Sequence, residues 1–179
     1  SSGCIQGPND PIIKPKEAKK MDYEVEVAIV IGKEGKYIPI NKAQEYVFGY
    51  CIVNDISERS WQKERGGQWI KGKSIAGPIG PYLVTKDEIQ NINNINLTLN
   101  VNGERRQEGN TKRMIFNFDF LISHISKFMT LYPGTIITTG TPAGTAMEMS
   151  EPKFLQSGDK LNLKIEFLGE QNHLVINEN

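Results

Sequence analysis

Apolar and polar positions along this chain fall mostly into short strand-like runs, and one long segment repeats with helical spacing. Residues 22–32, DYEVEVAIVIG, read as a buried strand: Val25, Val27, Ala28, Ile29, Val30 and Ile31 are apolar, and Gly32 closes the run. β-Branched side chains favour such a pleated, half-buried surface. Residues 47–55, VFGYCIVND, read as a second buried strand ending in Asn54 and Asp55. Leu97, Leu99 and Val101 alternate with polar residues, and Asn102-Gly103 behind them is a hairpin signal. Residues 159–169 read as a half-buried strand with Leu161, Leu163, Ile165 and Phe167 inward. Phe118, Leu121, Ile122, Ile125, Phe128 and Met129 recur at helical spacing and predict an amphipathic helix over 117–130, stopped by Pro133-Gly134. A second, short helix is expected over 41–47.

Between these elements, residues 1–20 read as an extended lead-in and 56–76 as a long irregular connection. GPIGPYLVT, 77–85, reads as a turn and a short strand, and TIITTGTPAGTA, 135–146, as a strand running into a glycine- and proline-punctuated loop. Loops of more than about a dozen residues inside a compact domain are uncommon and often functional. No repeat and no interdomain linker interrupts the pattern, so 1–179 is expected to be one domain. Many strands and few helices give an α+β chain that is mostly β, with a closed or rolled β core.

Composition narrows the function classes. At 38% hydrophobic and 23% charged, the chain is globular in character. Lys plus Arg equals Asp plus Glu, at 21 each, and there is no long basic run. Neither a nucleic-acid nor a membrane partner is therefore expected. Two cysteines, Cys4 and Cys51, are too few for a disulfide scaffold and suggest a reducing compartment. A cytoplasmic location is expected, or a mitochondrial one if a transit peptide precedes this chain.

The chemistry lies in the carboxylates. Glu24 and Glu26 are two apart, so on a strand they share a face, and Asp55 ends the next apolar strand. If the strands are neighbours, three carboxylates converge and need protons or a cation. An all-oxygen set suits Mg²⁺ or Mn²⁺ rather than zinc. Taken alone, the pair also fits a solvated strand face. Lys73 could hold a substrate carboxylate or stabilise an enolate, or be an ordinary surface lysine. Arg59 and Gln62, four and seven residues after Asp55, would share a face on a helical turn and could clamp a small acid. The loop 139–144, TGTPAG, could bind an oxyanion through its amides and Thr141, but it lacks the ending of a P-loop. His124 falls at the edge of the apolar helix face, and His173 lies in a polar segment.

Read together, GPNDPI, DYEVEVAIVIGK, GYCIVNDISERSWQ, GKS, GPIGPYLVT, VNGERRQEGNT and PGTIITTGTPAGTA resemble, in this order, the signature blocks of the fumarylacetoacetate hydrolase family. The resemblance runs from about residue 7 to 170 and looks closest to the small acylpyruvase, oxaloacetate decarboxylase and diene-dioate isomerase members. It implies a mixed β-roll and a homodimer. It implies Mg²⁺ or Mn²⁺ on Glu24, Glu26 and Asp55, with Arg59, Gln62, Lys73 and Thr141 lining the site of a small 2-oxo acid, and Lys73 and Thr141 stabilising charge in catalysis.

Such proteins usually carry a preceding GLNYxxHAxE-like block whose His and Glu activate water. Nothing before residue 7 matches it, so the chain is expected to lack an N-terminal segment. The expected activity is metal-dependent cleavage of a C–C bond in an acylpyruvate-like acid. Oxaloacetate decarboxylation and 2-hydroxy-diene-dioate isomerisation are the enzymatic alternatives. A metal-binding homologue without turnover is the non-enzymatic one.

Overall fold

The computed structural model describes residues 2–64 and 76–179. Its strands are β1 (Ile5–Gln6), β2 (Ile12–Lys14), β3 (Met21–Asp22), β4 (Val25–Ile31), β5 (Val47–Asn54), β6 (Ser57–Glu58), β7 (Gly77–Pro78), β8 (Val84–Thr85), β9 (Asn96–Val101), β10 (Glu104–Asn110), β11 (Ile136–Thr138), β12 (Lys160–Ile165) and β13 (Gly169–Asn177). Two short α-helices, α1 (Arg59–Glu64) and α2 (Phe118–Ile125), accompany them. The fold is mostly β and its sheets are mixed, as expected. A four-stranded sheet runs β11-β4-β5-β8 and a five-stranded one β10-β9-β12-β13-β2, with β1-β7 and β3-β6 as small pairs. The β13-β2 and β1-β7 pairs are parallel.

The two large sheets enclose the core. Val25, Val27, Ile29 and Ile31 of β4 share one cluster with Leu97, Leu99 and Val101 of β9 and Leu161, Leu163 and Ile165 of β12. The opposite face of β4 is also covered. There Ala28, Cys51 and Val53 form a second small cluster with Val30 and Ile79. A strand buried on both faces reads as a nearly continuous apolar run, which is why β4 hides its alternation. The Asn102-Gly103 turn takes positive φ at both residues, 52° and 81°, and joins β9 to β10 as the hairpin signal required.

Several expectations need correction. The first strand is Val25–Ile31, and Met21–Asp22 pairs separately with β6. The helix over 41–47 is a 3₁₀ segment, Ile40–Tyr46. The long helix ends at Ile125, because the Ser126 hydroxyl donates to the Ser123 carbonyl and accepts from the Ile38 amide. Phe128 and Met129 consequently lie exposed beyond it. His124 is exposed and stacks on Phe120. Phe167 points outward, since it occupies the β12–β13 turn at φ 67°.

The lead-in contributes strands, with β2 pairing in register on β13. The connection expected to be irregular over 56–76 contains β6 and α1, while 65–75, including Lys73, lies outside the described residues. Among the described residues no helix is long and apolar enough to cross a membrane.

Candidate metal centre

Antiparallel register builds the acidic site. β4 pairs with β5 so that Val25 faces Asn54 and Glu26 faces Val53. One step further, the Asp55 amide donates to the Glu24 carbonyl at 2.9 Å. Glu24 and Asp55 therefore stand opposite each other, and Glu26 lies two residues along on the same face. One ligand atom from each of the three carboxylates lies within 4.8 Å of the others, and all three residues are buried. β4 and β5 are thus the neighbours that convergence of the three carboxylates requires.

The glutamates are held from two directions. The Glu26 Oε2 atom accepts the Gly140 amide at 2.8 Å. The Glu24 Oε1 atom accepts from Arg59 Nη2 at 2.7 Å. Arg59, 4% exposed, also donates from Nε to Asp22 at 2.9 Å and from Nη1 to Gln62 at 3.3 Å. Its pKa is raised: burial opposes the charge, and the adjoining Glu24 and Asp22 carboxylates outweigh it. Helix α1 delivers Arg59 and Gln62 together. Its start is fixed by the Arg59 amide bonding the Lys20 carbonyl and by Glu58, which accepts the Lys20 and Ser60 amides. Trp61 packs against the core from the same helix.

The loop after β11 runs alongside β4. The Thr139 hydroxyl donates to the Val27 carbonyl at 2.7 Å, and that of Thr141 donates to Val25 at 2.9 Å. Gln107, fully buried on β10, donates to the Thr141 hydroxyl and the Pro142 carbonyl and accepts the Val25 amide. Gly144 lets this loop close: its φ is +107°, and a Cβ there would sit 2.0 Å from the Arg106 carbonyl oxygen.

Sequence reasoning missed Asp22 and Gln107. Asp22 opens an apolar run and looks like a solvated strand start. Yet it is fully buried and accepts the Tyr23, Ala146 and Met147 amides besides Arg59. Gln107 stands among charged residues in ERRQEGN, where only its place on the inward face of β10 marks it.

The donor set can be tested against a cation. Three buried carboxylates so close together repel one another, and oxygen-only ligands suit a hard divalent ion. The residues present fit such an ion, with Glu24, Glu26 and Asp55 as its holders. A cavity of about 520 Å³ lies across the 139–143 loop, lined by Val27, Leu97, Met114, Phe116, Leu121 and Pro142. Gly140, whose amide bonds Glu26, also lines this cavity. Neither cysteine fits a nucleophile's part: both are buried, and burial pushes the Cys51 thiol up to about 11.

Comparison with known proteins agrees with this architecture. The family model described as fumarylacetoacetate (FAA) hydrolase C-terminal matches residues 2–176. A Burkholderia cenocepacia protein, provisionally named a hydrolase, is 51% identical over 173 residues, covering 95% of this chain and 61% of the relative. The chain thus spans about three fifths of the length of the curated relatives it matches. A fumarylacetoacetate hydrolase from Exiguobacterium antarcticum superposes with a TM-score of 0.94 at 38% identity, over 99% of this chain and 65% of that one. A 2-hydroxyhepta-2,4-diene-1,7-dioate isomerase from Mycobacterium marinum does so with a TM-score of 0.88 at 35% identity, over 99% and 67%. With its order of motifs, its mixed sheets and its buried acidic triad, this chain belongs to the fumarylacetoacetate hydrolase family.

Proposed function

We propose that this chain is the catalytic domain of a Mg²⁺- or Mn²⁺-dependent enzyme that cleaves a C–C bond in a small acylpyruvate-like 2-oxo acid. The observation that carries the reading is the convergence of Glu24, Glu26 and Asp55 within 4.8 Å in a buried site. When bound, the cation would supply Lewis acidity toward the substrate's oxygens and charge stabilisation for an enolate. Glu24, Glu26 and Asp55 would hold it. The Gly140 amide fixes Glu26, so the loop after β11 sets the orientation of one ligand. The Thr141 hydroxyl proton goes to Val25, which keeps the same loop against the site. Lys73 would meet negative charge on the substrate, with Gln62 as an orienting group. The assembly proposed is a homodimer.

A second reading, isomerisation of a 2-hydroxy-diene-dioate, is favoured by the likeness to the Mycobacterium marinum isomerase. The deciding experiment supplies the purified chain with acetylpyruvate, oxaloacetate and 2-hydroxyhepta-2,4-diene-1,7-dioate, with Mn²⁺ and then with EDTA. Cleavage of acetylpyruvate that stops in EDTA is the expected result. Conversion of the diene-dioate alone selects the isomerase. Turnover of all three that is indifferent to EDTA overturns the metal-dependent reading.

A further inference from the structure

We propose that Arg59 is a positioning residue that aims the Glu24 carboxylate, and that Asp22 in turn fixes Arg59. The inference rests on the reading of Glu24, Glu26 and Asp55 as a divalent-metal site. Its basis is the way the guanidinium is used. Each of its three nitrogens already meets a protein acceptor: Nε meets Asp22 at 2.9 Å, Nη2 meets Glu24 at 2.7 Å and Nη1 meets Gln62 at 3.3 Å. Arg59 is 4% exposed and Asp22 is fully buried. Two of these three contacts are buried ion pairs, so most of the guanidinium's charge is already met by the protein.

Asp22 is itself immobilised. One carboxylate oxygen accepts the Tyr23 and Ala146 amides at 2.9 and 2.8 Å, and the other accepts the Met147 amide at 3.1 Å besides Arg59. Three backbone groups from two segments distant in sequence thus hold the anion that holds the arginine. The geometry of Glu24 is inherited through this relay from the rigid fold. A planar fork is needed for it, because one guanidinium must reach Asp22 and Glu24 at once. Charge alone would work against the site, since a fixed cation repels a divalent ion. Arg59 therefore serves the site by orientation and by neutralising surplus carboxylate, rather than by attracting the ion.

Arg59→Lys separates these roles, for it keeps the charge and loses the fork. Mn²⁺ affinity is read by titration well below the melting temperature, on the full chain. Loss of an outer partner of a metal ligand commonly weakens binding about 10–100-fold, and Arg59→Lys is expected in that range. Asp22→Asn, which leaves Arg59 in place but loosens it, is expected to shift affinity the same way by a smaller factor. The KM for whichever 2-oxo acid is turned over, at saturating Mn²⁺, is expected to stay near the unsubstituted value in Arg59→Lys. Unchanged Mn²⁺ affinity with a raised KM would make Arg59 a substrate contact and overturn the proposal. Unchanged affinity with only a lower melting temperature in EDTA would reduce the pair to a structural role and overturn it equally. If the unsubstituted chain binds no Mn²⁺, the metal reading falls and this inference with it. If it binds Mn²⁺ but turns over no 2-oxo acid, the substrate reading falls alone and the affinities still decide.

Discussion

Two buried polar clusters behave differently in this protein. One surrounds Glu24, Glu26 and Asp55; the other lies on β13, where Gln171 and His173 point inward. The β13 cluster closes on itself. Gln171 Nε2 donates to the carbonyls of Ile52, Pro78 and Gly80, its Oε1 meets His173 Nε2, and His173 Nδ1 meets the Asp10 carbonyl. It carries no carboxylate and ties the N-terminal lead-in to the sheets. That network ties amide, imidazole and backbone carbonyl groups to one another within the scaffold. The other cluster gathers the carboxylates of Asp22, Glu24, Glu26 and Asp55, with Arg59 paired to Asp22 and Glu24. Buried carboxylates gathered this closely form an oxygen-only set that suits a hard cation. The difference separates scaffold from candidate site without reference to any relative.

The sharpest way to break the contrast is to remove a carboxylate. Glu26→Gln and Asp55→Asn are each expected to abolish Mn²⁺-dependent turnover. Mn²⁺ at about 100 times its dissociation constant should stabilise the unsubstituted chain by about 2.7 kcal/mol. For a chain of this size that is a rise of roughly 5–10 °C in melting temperature, and both variants should show none. In EDTA the same variants are expected to melt no lower than the parent, since like-charge repulsion is relieved. A large loss of stability in EDTA would show that these groups are structural.

The mirror experiment is Gln171→Leu. Leucine leaves the His173 ring and three carbonyls without their amide, at a cost of about 2–4 kcal/mol. The melting temperature should fall while the Mn²⁺-induced rise persists. Gln107→Leu tests the link between scaffold and site. It unpairs the Val25 amide and loosens the loop carrying Gly140, so it should lower both the melting temperature and the Mn²⁺ response.

The smallest effect expected is a pH dependence from His173. Burial pushes its pKa below the ordinary 6.5, against the pull of the Asp10 carbonyl and carboxylate toward the charged form. As pH falls, the unfolded chain binds the proton first. Stability from this residue is therefore intact above about 6.5 and declines below it. Melting curves between pH 7 and pH 5 should show a decline that is shallower in His173→Gln; equal slopes would remove the assignment.

Legibility in the sequence followed the same division. β5, β9 and β12 announced themselves because their apolar residues face the core and repeat as strands do. β13 did not, since its inward positions include Gln171 and His173 while Leu174 points out, which inverts the usual alternation. The apolar spacing of α2 overshot its end, because a hydrophobic period is blind to the Ser126 hydrogen bonds that stop the helix. Glu24 and Glu26 stood out as charges within an apolar run. Asp22 did not, because a carboxylate at the margin of a run looks the same whether it meets water or three amides.

The order of motifs along the chain was enough to assign the family, the β-rich class and the acidic residues to watch, because these depend on side-chain types at short, fixed separations. The motifs paired Asp55 with Glu24 and Glu26 through the family resemblance; tertiary structure placed the three side by side, and it alone decided that Arg59 spans Asp22 and Glu24 and that Gly140 meets Glu26. Each of these contacts joins residues about 30 or more positions apart, or depends on the register between such segments. Local pattern cannot encode that register; the packing of both faces of β4 sets it.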